Sequence, residues 1–245
     1  MKIIKSRHSI FSDIVTVAIL ADPGCRAGWE KNFPRLLAHV WQKHRPELFL
    51  VVGDLAINGT YEEYEAMLSV INCYPSRLAA VAGDHDKPLT AFRRLFGSTR
   101  KIIDVGKWRF LGIDTSNRVF LKSESDFLAK HLRRNTLILS HVPPALNGWE
   151  FHSLLPTHSD RFLSIVDCHA SKIRAAFFGH IHGYSRRTHS GVPMIATGAV
   201  AESLVVRNNR YIGPGYLGMM IFKPRTGKLT LCRLNWEKSM LSSEP

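Results

Sequence analysis

Cysteine is scarce in these 245 residues. There are four, Cys25, Cys73, Cys168 and Cys232, and no two form a C-x-x-C pair. A disulfide framework is not expected in a chain of this size, and the four read as free thiols in a reducing compartment. Long apolar runs are missing too. The longest near the start, Ile14 to Ala21, is broken by Thr16 and is too short to cross a bilayer. Lys2, Lys5 and Arg7 precede it, as in a secretory leader, but it ends in Ala21-Asp22-Pro23, a poor cleavage context. The expected location is cytoplasmic. Nowhere do five basic residues run together. Arg93-Arg94, Arg133-Arg134 and Arg186-Arg187 are only doublets, which argues against a dedicated nucleic-acid arm and leaves a folded basic patch open. No Gly-x-Ser-x-Gly and no Walker-type loop occurs, so serine-hydrolase and P-loop chemistry are poor readings.

What is present is globular and basic. Hydrophobic residues make up 45% and charged residues 22%, enough apolar side chain to exclude disorder as the main state. Lys plus Arg number 33 against 20 Asp plus Glu, a net charge of +13. That excess points to an anionic partner: a phosphorylated small molecule, a nucleic acid or an anionic surface. No internal repeat or linker marks a second domain, so residues 1–245 are expected to form one domain.

Short apolar runs recur at Ile14–Ala21, Leu48–Val52, Leu78–Ala82, Arg109–Ile113, Thr136–Leu139, Ala175–Phe178, Pro193–Ala196, Leu217–Phe222 and Lys228–Leu234. Their lengths suit strands. Several are apolar at nearly every position, as in strands covered on both faces. Between them lie segments of helical period. Phe33, Leu36, Leu37, Val40 and Trp41 share a face, with Pro34 expected in the first turn. Thr60 and Glu63 form a capping-box pattern ahead of Tyr64, Met67, Leu68 and Ile71. Ser125 or Asp126 is expected to cap a helix through Arg134, and Ser159 or Asp160 one through His169. The alternation gives an α/β class, with a last third rich in strand.

The ends of the apolar runs carry the chemistry. Asp22 follows the first run and Gly53-Asp54 the second. Gly83-Asp84-His85-Asp86 follows the third, Ser140-His141 a fourth and Gly179-His180-Ile181-His182 a fifth. In α/β sheets ligands bind beyond the carboxyl ends of strands. Five such ends would gather Asp22, Asp54, Asp84, His85, His141, His180 and His182 on one rim. Each motif alone has a bland reading, since Asp after a strand is usually a turn residue or cap. Their joint, ordered occurrence points to a cation, because converging buried carboxylates need neutralising. Mixed Asp/His donors suit Mn, Fe, Zn, Co or Ni. His152 and His158 fall in a polar loop as weak candidates for substrate contact.

This ordered set resembles the calcineurin-like metallophosphoesterases, whose pattern is D-x-H, G-D, G-N-H-D/E, a lone H, and G-H-x-H. The resemblance runs from about residue 14 to about 200, and Gly53 to Thr60 with Tyr64 looks most like the cyclic-nucleotide and glycerophosphodiesterase branch. It implies a four-layer α-β-β-α sandwich with two central mixed sheets, the second drawn from the strand-rich last third. It implies two divalent metal ions. Asp22 and His182 would hold the first, Asp84, His141 and His180 the second, and Asp54 would bridge them. His85 would sit beside the leaving group as general acid or as a charge stabiliser. Two departures stand out. Gly24 replaces the histidine of D-x-H, with Cys25 one residue on as a remote substitute, and Asp84 replaces the asparagine of G-N-H-D/E. Together they imply unequal metal affinities, down to a single tightly held ion. The expected activity is phosphoester hydrolysis, with a diester favoured. The competing readings are a degenerate scaffold that keeps the fold, and phosphoesterases directed at nucleic acid or at a lipid-linked pyrophosphate.

Overall fold

The computed structural model describes residues 1–24, 29–198, 200, 204–207, 210–214 and 216–235. In chain order the elements are β1 (Lys2–Ile3), β2 (His8–Phe11), β3 (Val17–Leu20), α1 (Trp29–His44), β4 (Leu48–Val52), α2 (Tyr61–Asn72), β5 (Arg77–Val81), α3 (Leu89–Phe96), β6 (Lys101–Val105), β7 (Trp108–Gly112), α4 (Lys122–His131), β8 (Thr136–Leu139), α5 (Pro156–His169), β9 (Ile173–Phe178), β10 (Tyr184–His189), β11 (Val192–Thr197), β12 (Leu204–Arg207), β13 (Arg210–Pro214), β14 (Tyr216–Lys223) and β15 (Lys228–Asn235). Two mixed sheets hold most strands, in the orders β1-β5-β4-β3-β14-β15 and β10-β11-β9-β8-β7-β6-β2.

The all-apolar strands are explained by two covered faces. Along β4, Leu48, Leu50 and Val52 join a core shared with Phe110, Leu137, Phe177 and Ile195 of the other sheet. Phe49 and Val51 point the opposite way, into a core with Leu36, Val40, Met67 and Phe92 of the helices. Period-two alternation thus feeds two cores from one strand. A third core sets Phe127, Leu128, Phe162 and Val166 of α4 and α5 against Ile138, Ala176 and Phe178 of the second sheet. The layers therefore run helix, sheet, sheet, helix, as the α-β-β-α expectation required.

Several local expectations are corrected. β14 and β15 extend the first sheet beside β3, while the second sheet is drawn mainly from the middle of the chain. Pro34 lies inside α1, because burial of Trp29 and Phe33 recruits the preceding turn. α4 begins at Lys122, ahead of Ser125, where buried Glu124 is anchored by Arg100 at 2.6 Å. α5 begins with Pro156 at its first position. Ser159 is then no cap. It is buried, and its hydroxyl accepts the Ala145 N–H. The Thr60–Glu63 capping box is present as expected. Trp149 and Leu154 of the 143–160 segment are core residues. No helix among the described residues is long and apolar enough to cross a membrane.

Candidate metal centre

Parallel pairing of β3, β4 and β5 in one sheet and of β8 and β9 in the other aligns their carboxyl ends along one edge of the sandwich. The chain there adopts backbone shapes that side chains normally avoid. Asp22 (φ 56°), Asp54 (φ 55°), His180 (φ 64°) and His182 (φ 56°) are all left-handed. Such residues cost about 1–3 kcal/mol each and persist where surrounding structure over-determines them, typically at functional sites. Here the turns are tied to one another. Asp22 N–H donates to Gly53 O at 3.0 Å, Gly179 N–H to His141 O at 3.0 Å, and His180 N–H to the Asp22 carboxylate at 3.1 Å.

His141 is the hub. It is fully buried, and its Nδ1 lies 2.8 Å from Val52 O. A carbonyl can only accept, so Nδ1 carries a proton. Nε2 then faces Asp84 Oδ1 at 2.8 Å and Asp54 Oδ2 at 3.3 Å. Asp84 Oδ1 also meets His180 Nδ1 at 2.9 Å. One Nε2 proton directed at Asp84 leaves Asp54 Oδ2, which is buried, with no hydrogen bond. Two sets of donor atoms each fall within 4.8 Å of one another: Asp84, His141 and His180, and Asp22, Asp54 and His141. Oxygen and imidazole lone pairs converging on one small space fit a divalent cation.

The electrostatics agree. Burial by itself would raise the Asp84 carboxyl, but hydrogen bonds from His141 and His180 outweigh it and hold the group well below the ordinary range. Burial opposes charge on His141, yet Asp54, Asp84 and Asp22 raise it well above the ordinary imidazole value. Burial raises Asp22, against the pull of His141.

Asp86 was part of the motif but had no assigned role, and the structure supplies one. Its carboxylate is fully buried and accepts N–H groups of Asp54, Leu55, Ala56 and Gly83 at 2.8–3.2 Å, plus the Tyr64 hydroxyl at 3.1 Å. It therefore shapes the turn that presents Asp54. Burial and the Asp54 charge push its carboxyl up to about 7, with the Gly83 N–H pulling the other way. Gly83 allows the close approach: a Cβ there would lie 2.0 Å from Asp54 Oδ1.

Among the described residues, His182 belongs to neither donor set; it is half-buried at the next turn. Gly24 is packed against its neighbour, where a Cβ would fall 2.1 Å from Leu55 O, so backbone occupies the space a side chain would need. Cys25 lies outside the described residues. His85 is exposed, with its ring Nδ1 3.0 Å from Ile57 O and its N–H donating to Asp54 Oδ1 at 2.9 Å. His152 reaches the site, its Nδ1 3.4 Å from His180 Nε2. His158 does not. It lies 3.1 Å from Phe120 O. Loop position in sequence could not separate these two, because the separation depends on where the loop docks.

A 3',5'-cyclic-nucleotide phosphodiesterase of Nostoc sp. is 29% identical over 164 residues, 60% of this chain and 61% of that protein. The chain thus spans about three fifths of that relative's length. A dimetal phosphatase from Danio rerio has a similar fold (TM-score 0.68, 14% identity, 90% of this chain and 96% of that one). So does GAP50, the anchor in the inner membrane complex of Plasmodium (TM-score 0.64, 12% identity, 91% and 89%). The family model for calcineurin-like phosphoesterases matches residues 15–184. That span is most of the chain and contains every strand end described above, and the protein belongs to the calcineurin-like phosphoesterase family.

Proposed function

We propose that the protein is a metal-dependent phosphodiesterase acting on a small anionic diester, with cyclic nucleotides as the substrate class to test first. The observation that carries this reading is His141 Nε2, which faces two carboxylate oxygens at 2.8 and 3.3 Å with one proton at most to share. Asp54, Asp84, His141 and His180 would hold a divalent cation, with Mn, Fe, Zn, Co or Ni suited to the donor set. Asp22 and Asp54 would hold a second ion more weakly, because Gly24 contributes no ligand and His182 stands outside the donor set. A cation bound there supplies Lewis acidity toward a phosphoryl oxygen and lowers the pKa of a water nucleophile.

The chain supplies the rest. The Ile57 carbonyl accepts a hydrogen bond from His85 Nδ1–H, which leaves Nε2 as the ring nitrogen that would face the leaving oxygen. His152, beside His180, would meet the substrate. The basic balance of +13 favours an anionic ligand over a neutral one.

The test is turnover of bis(p-nitrophenyl) phosphate and of a 3',5'-cyclic nucleotide with each of the five metals, alongside elemental analysis. Metal-dependent turnover that disappears in Asp54→Ala, together with bound metal, supports the proposal. No turnover with any metal, and unchanged metal content in Asp54→Ala, overturns it. Packing at Gly24 favours one second reading, a scaffold that keeps the fold. Its signature is failure to retain even one ion per chain.

A further inference from the structure

A cavity of about 360 Å³ opens between the two sheets, and none of the candidate metal-centre residues lines it. Its floor is apolar: Leu137, Ala175, Ile195, Met220, Phe222 and Leu231, all part of or packed on the inter-sheet core. Three cations, Arg174, Arg186 and Lys228, border it, and its lining holds no Asp or Glu. All three are exposed. Among the described residues their side chains have no hydrogen-bond or ion-pair partner, whereas Arg109, Arg133, Arg100 and Arg77 are each paired with a carboxylate.

Local structure directs two of these cations to the cavity. Along β10, Tyr184 and Arg186 line it. The alternate residues face the other way, where Ser185 Oγ accepts Trp149 Nε1–H at 3.1 Å and Arg187 Nε donates to Asn147 O at 2.6 Å. In β9 the pairing passes from Thr136↔Ile173 to Leu137↔Ala175. Arg174 is therefore an extra residue, and such bulges re-aim side chains. Lys228 opens β15 directly after the Gly227 turn. The sequence singled out the Arg186-Arg187 doublet; the fold splits it, one arginine bound to the chain and the other left for a ligand.

An apolar floor with an all-cationic border complements a molecule with an apolar tail and an anionic head. We propose that this cavity binds a single-chain anionic amphiphile, its alkyl chain between the sheets and its carboxylate or phosphate head against Arg174, Arg186 and Lys228. The volume lies near the lower end for small-molecule pockets, roughly 300–1,000 Å³, which suits one alkyl chain and not a diacyl lipid. Guanidinium forks match carboxylate and phosphate heads alike, so the two are separated by experiment.

The test is calorimetric titration of the full chain, in EDTA, with dodecanoate and with dodecyl phosphate below their micellar concentrations. The expected result is saturable one-to-one binding to at least one of them, and the stronger of the two identifies the head group. Binding should weaken about tenfold or more in the Arg174→Glu/Arg186→Glu double variant, whose exposed positions leave the fold and the phosphodiester turnover unchanged. Butanoate, lacking the tail, and dodecyltrimethylammonium, with the wrong charge, should not bind. Equal binding of the cationic amphiphile, no loss in the double variant, or no saturable binding at all overturns the proposal. Because the titration is metal-free, its outcome is separate from that of the phosphodiesterase reading.

Discussion

Two acidic regions of this molecule are neutralised in opposite ways. Asp104, in β6, is nearly buried and receives Arg109 through both oxygens at 2.8 Å, Arg133 at 3.0 Å and His8 at 3.0 Å. Its counter-charge is written into the chain. At the strand-end rim, Asp54 and Asp86 are fully buried and Asp84 is half-buried. Among the described residues their partners are imidazoles, backbone N–H groups and a tyrosine hydroxyl, with no guanidinium or ammonium. Burying several carboxylates around one imidazole hub, with no guanidinium or ammonium beside them, is unfavourable unless a further cation comes from solution. The contrast separates a region built for stability from one built to take up a ligand.

The largest effect that would break this comparison lies at the rim. Asp54→Ala removes a fully buried carboxylate of one of the two donor sets. It should cost roughly 10³-fold in kcat/KM, about 4 kcal/mol of barrier, while folding is retained. Elemental analysis should show the bound ion lost with the activity. Activity within tenfold of the parent would mean that the rim does not depend on a cation held by Asp54.

Asp86→Ala is next. It strips the acceptor from four buried N–H groups and the Tyr64 hydroxyl at once. Unsatisfied buried donors cost about 1–3 kcal/mol each, and water entering the truncated site recovers part of that sum, so a net loss of about 3 kcal/mol is expected, seen as a fall in Tm of roughly 6–12 °C for a chain of this size. Tyr64→Phe removes one of these bonds and should cost only about 1 kcal/mol. A comparable loss in both variants would show that Asp86 does not organise the Asp54 turn.

A smaller effect sharpens the contrast directly. A cation at about 100 times its Kd stabilises the folded state by about 2.7 kcal/mol. Thermal melts with and without added Mn(II) should show that gain in the parent and in Arg109→Met. Asp84→Ala should lose it. An equal loss in Arg109→Met would join two regions that the structure keeps apart.

The strand ends were legible because each combines a continuous apolar run with a Gly or a polar break, and local sequence decides both. Asp54, Asp84, His141 and His180 could be placed on one rim from that pattern alone. The Asp104 cluster was invisible, since it depends on register: Asp104 stands directly opposite Arg109 across β6 and β7, and His8 arrives from β2, 96 residues away. Asp86 is recognisable as part of a motif, but its partners lie some thirty residues back in the Asp54 turn. In the sequence Gly24 is only a missing ligand. Only the fold shows that the Leu55 backbone has taken the space. The layers followed from two-sided apolar strands, whereas assignment of β14 and β15 to the first sheet rests on long-range pairing that no local pattern encodes.

The smallest effect concerns Asp104 and acid. Burial alone would raise its pKa, but hydrogen bonds from Arg109 and His8 and the charges of Arg109 and Arg133 outweigh it and hold the group below the ordinary 3.8. The folded state therefore binds this proton less readily than the unfolded chain. The stability contributed by the ionised carboxylate is complete above the unfolded value and is lost as pH falls through the folded one. In EDTA, to silence the rim, urea unfolding of the parent and of Asp104→Asn should differ by about 1–2 kcal/mol at pH values above about 5. The gap should close progressively below the ordinary carboxylate range. Arg109→Met should move that closure to higher pH, because it removes the strongest of the interactions that hold the carboxylate ionised. A gap independent of pH would mean that the Asp104 pairing contributes shape and not charge, and the contrast with the rim would then be one of packing.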